Sequence, residues 1–163
     1  MIPKMTHIAM RISDSELRDA EHFYCDLFRM DVAFRETMTP DGWATLPKED
    51  GWQFADRHNL RIGLVMVYRG GFAIDLEARP VPVPGGRYSH TGIEVTSEEL
   101  EHMREIVSHY DCEISHSSSS ILVFDDPYGM RWEFMTLSYD KPQLLSAGAR
   151  EGRWAEALVQ VQA

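Results

Sequence analysis

Between residues 7 and 12 two kinds of position alternate: Ile8, Met10 and Ile12 on one side, His7, Ala9 and Arg11 on the other. A period of two predicts a half-buried strand. The period then lengthens, and Leu17, Ala20, Tyr24, Leu27 and Phe28 fall on one stripe of a helix over residues 15–29. Strand patterns return over 31–35, 61–68 and 72–77, with Gly70-Gly71 supplying the hairpin turn between the last two. The whole succession then recurs from His90. His90, Gly92 and Glu94 alternate with Thr91, Ile93 and Val95, and Leu100, Met103, Ile106 and Val107 form a second helical stripe. Strands follow over 112–116, 121–124 and 130–135. Both helix starts carry a capping-box pattern, Ser13-x-x-Glu16 and Thr96-x-x-Glu99. The predicted fold class is α+β: two tandem βαβββ modules forming a cup-shaped mixed sheet with the helices on its convex side.

The modules are expected at residues 1–79 and 89–138. The Pro- and Gly-rich stretch at 80–88 is the linker, since it can continue neither helix nor strand. The halves are unequal. Residues 39–59 read as a long loop containing Trp43 and Trp52, expected to act as a lid or pocket wall. Residues 139–163 form a tail with a helix expected around 151–161. There Trp154, Ala157 and Leu158 share a side suited to docking or a dimer contact.

Charge narrows the partners. Sixteen basic against twenty-six acidic residues give a net charge of −10. That argues against nucleic acid and anionic membranes, which require phosphate-neutralising Lys and Arg. The expected partner is a small-molecule substrate. Two cysteines, Cys25 and Cys112, make no disulfide framework. No signal peptide or membrane span is read, so the expected location is cytoplasmic.

Pleat parity selects the chemistry. If the apolar rows of the two repeat strands pack under the helices, His7 and His90 face the concave side, with the small residues Ala9 and Gly92 leaving room beside them. An acid stands four residues past a turn glycine in the last strand of each half, Asp75 after Gly71 and Glu133 after Gly129. Trp132 and Phe134 are the packing face of the final strand, so Glu133 points into the cup. Two imidazoles with one or two carboxylates around open space make a divalent-metal donor set. Asp75 is a methylene shorter than Glu133, and Glu77 has the same parity two residues on. A lone histidine near a strand start is more often an ordinary surface residue. Repeat equivalence is what separates His7 and His90 from His22, His58, His102, His109 and His116. Arg11 and Glu94 take equivalent inward positions and read as an ion pair across the cup. With Arg131 and Trp43 they are the expected substrate-pocket residues.

Four segments resemble the vicinal oxygen chelate superfamily, the glyoxalase, bleomycin-resistance and extradiol dioxygenase group. They are Thr6-His7-Ile8-Ala9, the helix end Phe23 to Phe28, Ser89 to Ile93, and Phe124 to Phe134, which resembles the family's Asp-Pro-x-Gly-x-x-x-Glu closing motif. The resemblance spans residues 5–137 apart from the long loop. It implies one divalent metal (Zn, Ni, Co, Mn or Fe) with His7, His90 and Glu133 on ligand positions and Asp75 where a fourth ligand, normally Glu, is placed. It also implies a homodimer whose site can draw ligands from both subunits. A glyoxalase-like lyase or isomerase is the favoured activity, with Glu133 or Asp75 carrying the proton. An extradiol-type dioxygenase using Fe(II) and three ligands comes second. It lacks the expected Tyr about ten residues before Glu133, with His116 as the substitute acid–base group. Metal-free drug sequestration comes third. Arg29 stands where relatives often end the helix with Gly.

Overall fold

A computed structural model describes residues 4–80, 86–127 and 129–160. One nine-stranded mixed sheet runs through both halves. Its strands are β1 (Lys4–Ser13), β2 (Asp31–Thr39), β3 (Gly42–Thr45), β4 (Ile62–Arg69), β5 (Phe72–Arg79), β6 (Tyr88–Glu94), β7 (Glu113–Ser117), β8 (Ile121–Asp125) and β9 (Arg131–Met135). They lie in the order β3-β2-β4-β5-β1-β6-β9-β8-β7. Each half closes on itself by a parallel pair, β1 with β5 and β6 with β9, and the antiparallel pair β1–β6 is the seam. The α+β class and the repeated order follow the sequence pattern.

The long helices α1 (Leu17–Phe28) and α3 (Ser97–Ser108) cover one face. Beneath α1, Leu17, Ala20 and Tyr24 pack against Ile12, Val65, Val67, Ile74 and Leu76. Beneath α3, Leu100, Met103 and Val107 pack against Val95, Leu122, Phe124, Trp132 and Phe134. Leu27 and Phe28, placed on the first stripe from their spacing, are 56% and 47% exposed. The second capping box forms: Glu99 N–H donates to Thr96 Oγ1 at 3.1 Å and Thr96 N–H to Glu99 Oε2 at 2.7 Å. The first does not, because Asp14–Glu16 is a 3-10 turn and the Ser13 hydroxyl donates to the Glu16 carboxylate instead.

Residues 39–59 are not a loop. β2 continues to Thr39 and turns back as β3, and α2 (Gly51–His58) follows. A buried ion pair fixes that insertion. Arg35 donates to Glu21 at 2.7 and 2.5 Å, Trp52 Nε1 donates to the same carboxylate at 3.0 Å, and a further Arg35 N–H caps the Lys48 carbonyl at 3.0 Å.

The expected tail helix is two short ones, α4 (Ala147–Glu151) and α5 (Ala155–Gln160), broken where Gly152 turns left-handed at φ 70°. The tail docks on its own chain. Glu36 accepts the Ala147 N–H at 2.6 Å and the Thr45 hydroxyl at 3.1 Å, and Thr45 Oγ1 accepts the Gly148 N–H at 2.7 Å. Tyr139, with Leu137 and Leu145, packs on Ala33, Phe34, Met66 and Ala73, on the sheet face away from the helices. The tail thereby covers part of the first module's concave face. Of the linker expected at 80–88, residues 81–85 lie outside the described residues.

Candidate metal centre

The seam places the two histidines. Reading across the strands, His7 pairs with Gly92, and Gly92 with Glu133. Reading the other way, His90 pairs with Ala9, and Ala9 with Asp75. Paired residues share a face of the sheet, so all four functional side chains rise on the concave side. The two rows are equivalent, and Asp75 is the counterpart of Glu133.

The side chains break that symmetry. His7 leans across Gly92: a Cβ on Gly92 would stand 2.0 Å from the ring's Cε1. No such space exists at Ala9, whose methyl group occupies the matching place. His7 therefore reaches towards Glu133, while His90 is held back from Asp75.

Three donor atoms converge as a result. His7 Nε2 lies 3.0 Å from His90 Nε2 and 3.2 Å from Glu133 Oε2, and His90 Nε2 lies 3.3 Å from the same oxygen. Ligands held at about 2.1 Å from one ion stand about 3.0 Å apart at right angles and about 3.4 Å apart in a tetrahedron. The observed edges fall within that interval. Two nitrogen lone pairs and a carboxylate so close together repel unless a proton or a cation lies between them. The donor set and its spacing fit one divalent metal.

Hydroxyl groups on the preceding residues orient the rings. Thr6 Oγ1 is 3.3 Å from His7 Nδ1, and Ser89 Oγ is 3.3 Å from His90 Nδ1. The Ser89 hydroxyl donates its own hydrogen to Glu77 Oε2 at 3.1 Å, so it accepts from Nδ1–H and leaves the His90 Nε2 lone pair free. Thr6 and Ser89 can sit beside the rings because each is the extra residue of a β-bulge. Tyr139 stacks on the other side of His7, with ring centroids 4.9 Å apart and planes 15° apart.

Burial would raise the Glu133 carboxyl, but hydrogen bonds from His7 and then His90 outweigh it and hold the group at about 2. It is ionised at neutral pH. Asp75 behaves oppositely. Burial first, then the Glu77 and Glu133 charges, push it well above the ordinary carboxylate range, and its Oδ1 has no hydrogen-bond partner among the described residues. Tyr139 is raised by burial and by Glu133, and stays a protonated phenol.

The structure thus brings together His7, His90 and Glu133 from a single chain. Asp75 does not join the triad at that spacing and groups instead with Glu77 and His90. Arg11 and Glu94 are not an ion pair across the cup. Antiparallel pairing sends them to opposite ends of the seam, with Arg11 beside Glu77 and Glu94 beside Lys4. Arg131 forks onto Asp125 at 3.1 and 2.5 Å on the row next to Glu133. Trp43, on β3 three strands beyond β5, lies over Gly63 of β4. His116 is exposed on β7, in the row that runs from Glu133 through Val123. Tyr139 had no signal in the sequence, because it lies past the repeat and has no counterpart in the first half.

No protein-family model matches this sequence, and no curated protein matches it. The likeness is structural. A hypothetical protein from Bacillus halodurans C-125 overlays with a TM-score of 0.51 at 14% identity, over 83% of this chain and 94% of that one. The 2,2',3-trihydroxybiphenyl 1,2-dioxygenase of Sphingomonas wittichii strain RW1 also gives 0.51, at 15% identity. That match covers 80% of this chain but only 41% of the dioxygenase. A glyoxalase/bleomycin resistance protein/dioxygenase superfamily member from Vibrio splendidus 12B01 matches at 16% identity over 81% and 97% of the two chains, with a TM-score of 0.41. The chain has the vicinal oxygen chelate fold. At 14% and 15% identity, the two overlays at 0.51 show the fold alone. Among the described residues no helix is long and apolar enough to cross a membrane.

Proposed function

We propose that this protein is a metal-dependent enzyme acting on a small substrate that presents oxygens on neighbouring carbons. The observation that carries the reading is the single face formed by His7 Nε2, His90 Nε2 and Glu133 Oε2, no two of them more than 3.3 Å apart. Three protein donors on one side leave the other positions of an ion open towards the cup. A divalent metal bound there supplies Lewis acidity to the substrate oxygens.

The chain's own residues do the rest. Ser89 holds the His90 ring in the tautomer that exposes Nε2, and Tyr139 holds the His7 ring flat against the concave face. Glu133 stays ionised and contributes negative charge. With Tyr139 and the tail covering part of the first module's concave face, substrate approaches over the second module, across Val123 and beside the Asp125–Arg131 pair.

Two histidines and one carboxylate on a face is the arrangement associated with oxygen-activating Fe(II) enzymes. Asp75, the fourth donor a lyase of the glyoxalase type would use, stands outside the triad. These two points support the extradiol-type reading over the lyase. One observation keeps the lyase as the second reading: Asp75 is buried beside the site with an unpartnered oxygen.

The test is reconstitution with Fe(II) under anaerobic conditions, then exposure to oxygen with a series of catechols. Oxygen uptake with a coloured ring-cleavage product is expected, and its loss in His7→Ala and Glu133→Ala. Hemithioacetal isomerisation by the Zn- or Ni-loaded protein, with no oxygen uptake by the iron form, would establish the lyase instead.

A further inference from the structure

Asp75 and Glu77 rise from successive concave positions of β5, and they share a neighbour with the triad. One carboxylate oxygen of each and one ring nitrogen of His90 all lie within 4.8 Å of one another. His90 Nδ1 is 3.9 Å from Glu77 Oε1, whereas Nε2 faces His7 and Glu133. The two groups use opposite edges of one imidazole. We propose that the protein holds a second divalent cation, of the Mn2+ or Zn2+ type, between Asp75, Glu77 and Nδ1 of His90.

Two observations beyond the clustering point to a ligand. Asp75 is only 6% exposed, yet its Oδ1 has no hydrogen-bond partner among the described residues. Buried carboxylate oxygens are rarely left so, and an ion is one of the few things that explains one. Glu77 is divided in its bonding. Its Oε2 accepts from Arg79 at 2.9 Å and from Ser89 at 3.1 Å, while Oε1 lies 3.9 Å from His90 Nδ1. Ser89 and Arg79 thus aim the carboxylate and leave one oxygen turned to Asp75 and His90.

The local charge agrees. Around Asp75 the charges of Glu77, Glu133 and Glu36 outweigh that of Arg79. Two hard oxygens with one imidazole suit Mn2+ or Zn2+ rather than a thiophilic metal. Binding at Nδ1 displaces the hydrogen that Ser89 accepts. That proton leaves to solvent, and the imidazole then spans two cations. The two sites share His90, whereas His7 and Glu133 belong to the triad alone and Asp75 and Glu77 to the second site alone, so substitutions at those four residues separate this proposal from the proposed function.

The experiment is a metal count. The full chain is stripped with chelator, loaded with Zn2+, desalted and analysed by plasma mass spectrometry. Two zinc ions per chain are expected in the wild type. One is expected in Asp75→Asn and in Glu77→Gln, with circular dichroism unchanged. Asp75→Asn is nearly isosteric and removes a buried charge, so folding should survive it. A single zinc in the wild type, unaffected by Asp75→Asn, overturns the proposal. Two zinc ions retained in both variants overturn it too, because the extra ion would then lie elsewhere. His7→Ala reports on the triad separately, so failure of either reading is seen without the other.

Discussion

The His7 ring lies across Gly92, in space that any side chain on residue 92 would occupy. At the matching position in the other module Ala9 already carries a methyl group, and the histidine opposite it cannot lean in the same way. This difference sends the triad to Glu133 rather than Asp75. Gly92→Ala should therefore displace the His7 ring and weaken metal binding at least tenfold. Ala9→Gly should leave the triad's affinity within threefold of wild type. Titration of the stripped protein with Zn2+ or Fe(II) measures both. Unchanged affinity in Gly92→Ala would show that His7 does not hold the ion.

Asp75 should make the metal-free protein less stable at neutral pH. Its carboxyl is raised in the folded state, chiefly by burial, so the folded chain binds the proton more tightly than the unfolded chain. Its stabilising contribution is full below the ordinary carboxyl pKa and is lost as pH rises through the raised value. Asp75→Asn should raise the melting temperature of metal-free protein near pH 8 and have little effect near pH 4. Thermal unfolding at the two pH values decides it. A loss of stability at pH 8 would contradict the assignment.

The Glu21–Arg35 pair is nearly sealed from water, with side chains 3% and 10% exposed. Breaking a buried pair leaves one charge uncompensated and costs about 3–5 kcal/mol. Glu21→Ala should lower stability by that order, because Arg35 and the Trp52 indole lose their acceptor together. Urea unfolding provides the number. A change below about 1 kcal/mol would mean that water replaces the carboxylate there.

Arg29 ends α1 in the left-handed region at φ 52°, ψ 47°. Glycine adopts that conformation without the Cβ penalty, which is about 1 kcal/mol. Arg29→Gly should stabilise the fold by up to that amount and leave metal affinity untouched. Chemical denaturation with a parallel metal titration tests both halves.

Much of the fold and the triad is legible from spacing. Alternation about His7 and again about His90, with an acid four residues past a glycine in each half, groups His7, His90 and Glu133 from the sequence alone, but it adds Asp75 as a fourth ligand, which the structure groups with Glu77 and His90 instead. Local patterns cannot reveal what depends on chain segments far apart. β3 and α2 are hidden because 39–59 mixes Pro, Gly and charge, and their order comes from Arg35, Glu21 and Trp52 meeting in space. Tyr139 is invisible for the same reason, since it meets His7 only after the tail folds back. The expected Arg11–Glu94 pair fails on strand direction. Equivalent positions on two repeats become opposite ends once the strands run antiparallel.

Thr6 and Ser89 have a bearing on the seam as a whole. Outside them Met5 faces Ile93 and Met10 faces Tyr88, while between them His7 faces Gly92 and Ala9 faces His90, one residue out of step. The second bulge undoes the offset that the first creates. The stretch carrying both histidines is therefore a shifted cassette inside an otherwise uniform ladder, and its two boundaries are interdependent. Deleting Thr6 or Ser89 alone would leave the far end of the seam misaligned, and a slip of one residue turns side chains to the opposite face. Deleting both would keep the ends aligned. Along this seam an extra residue in one strand is matched by one in the other, and each copy carries it one residue before its histidine.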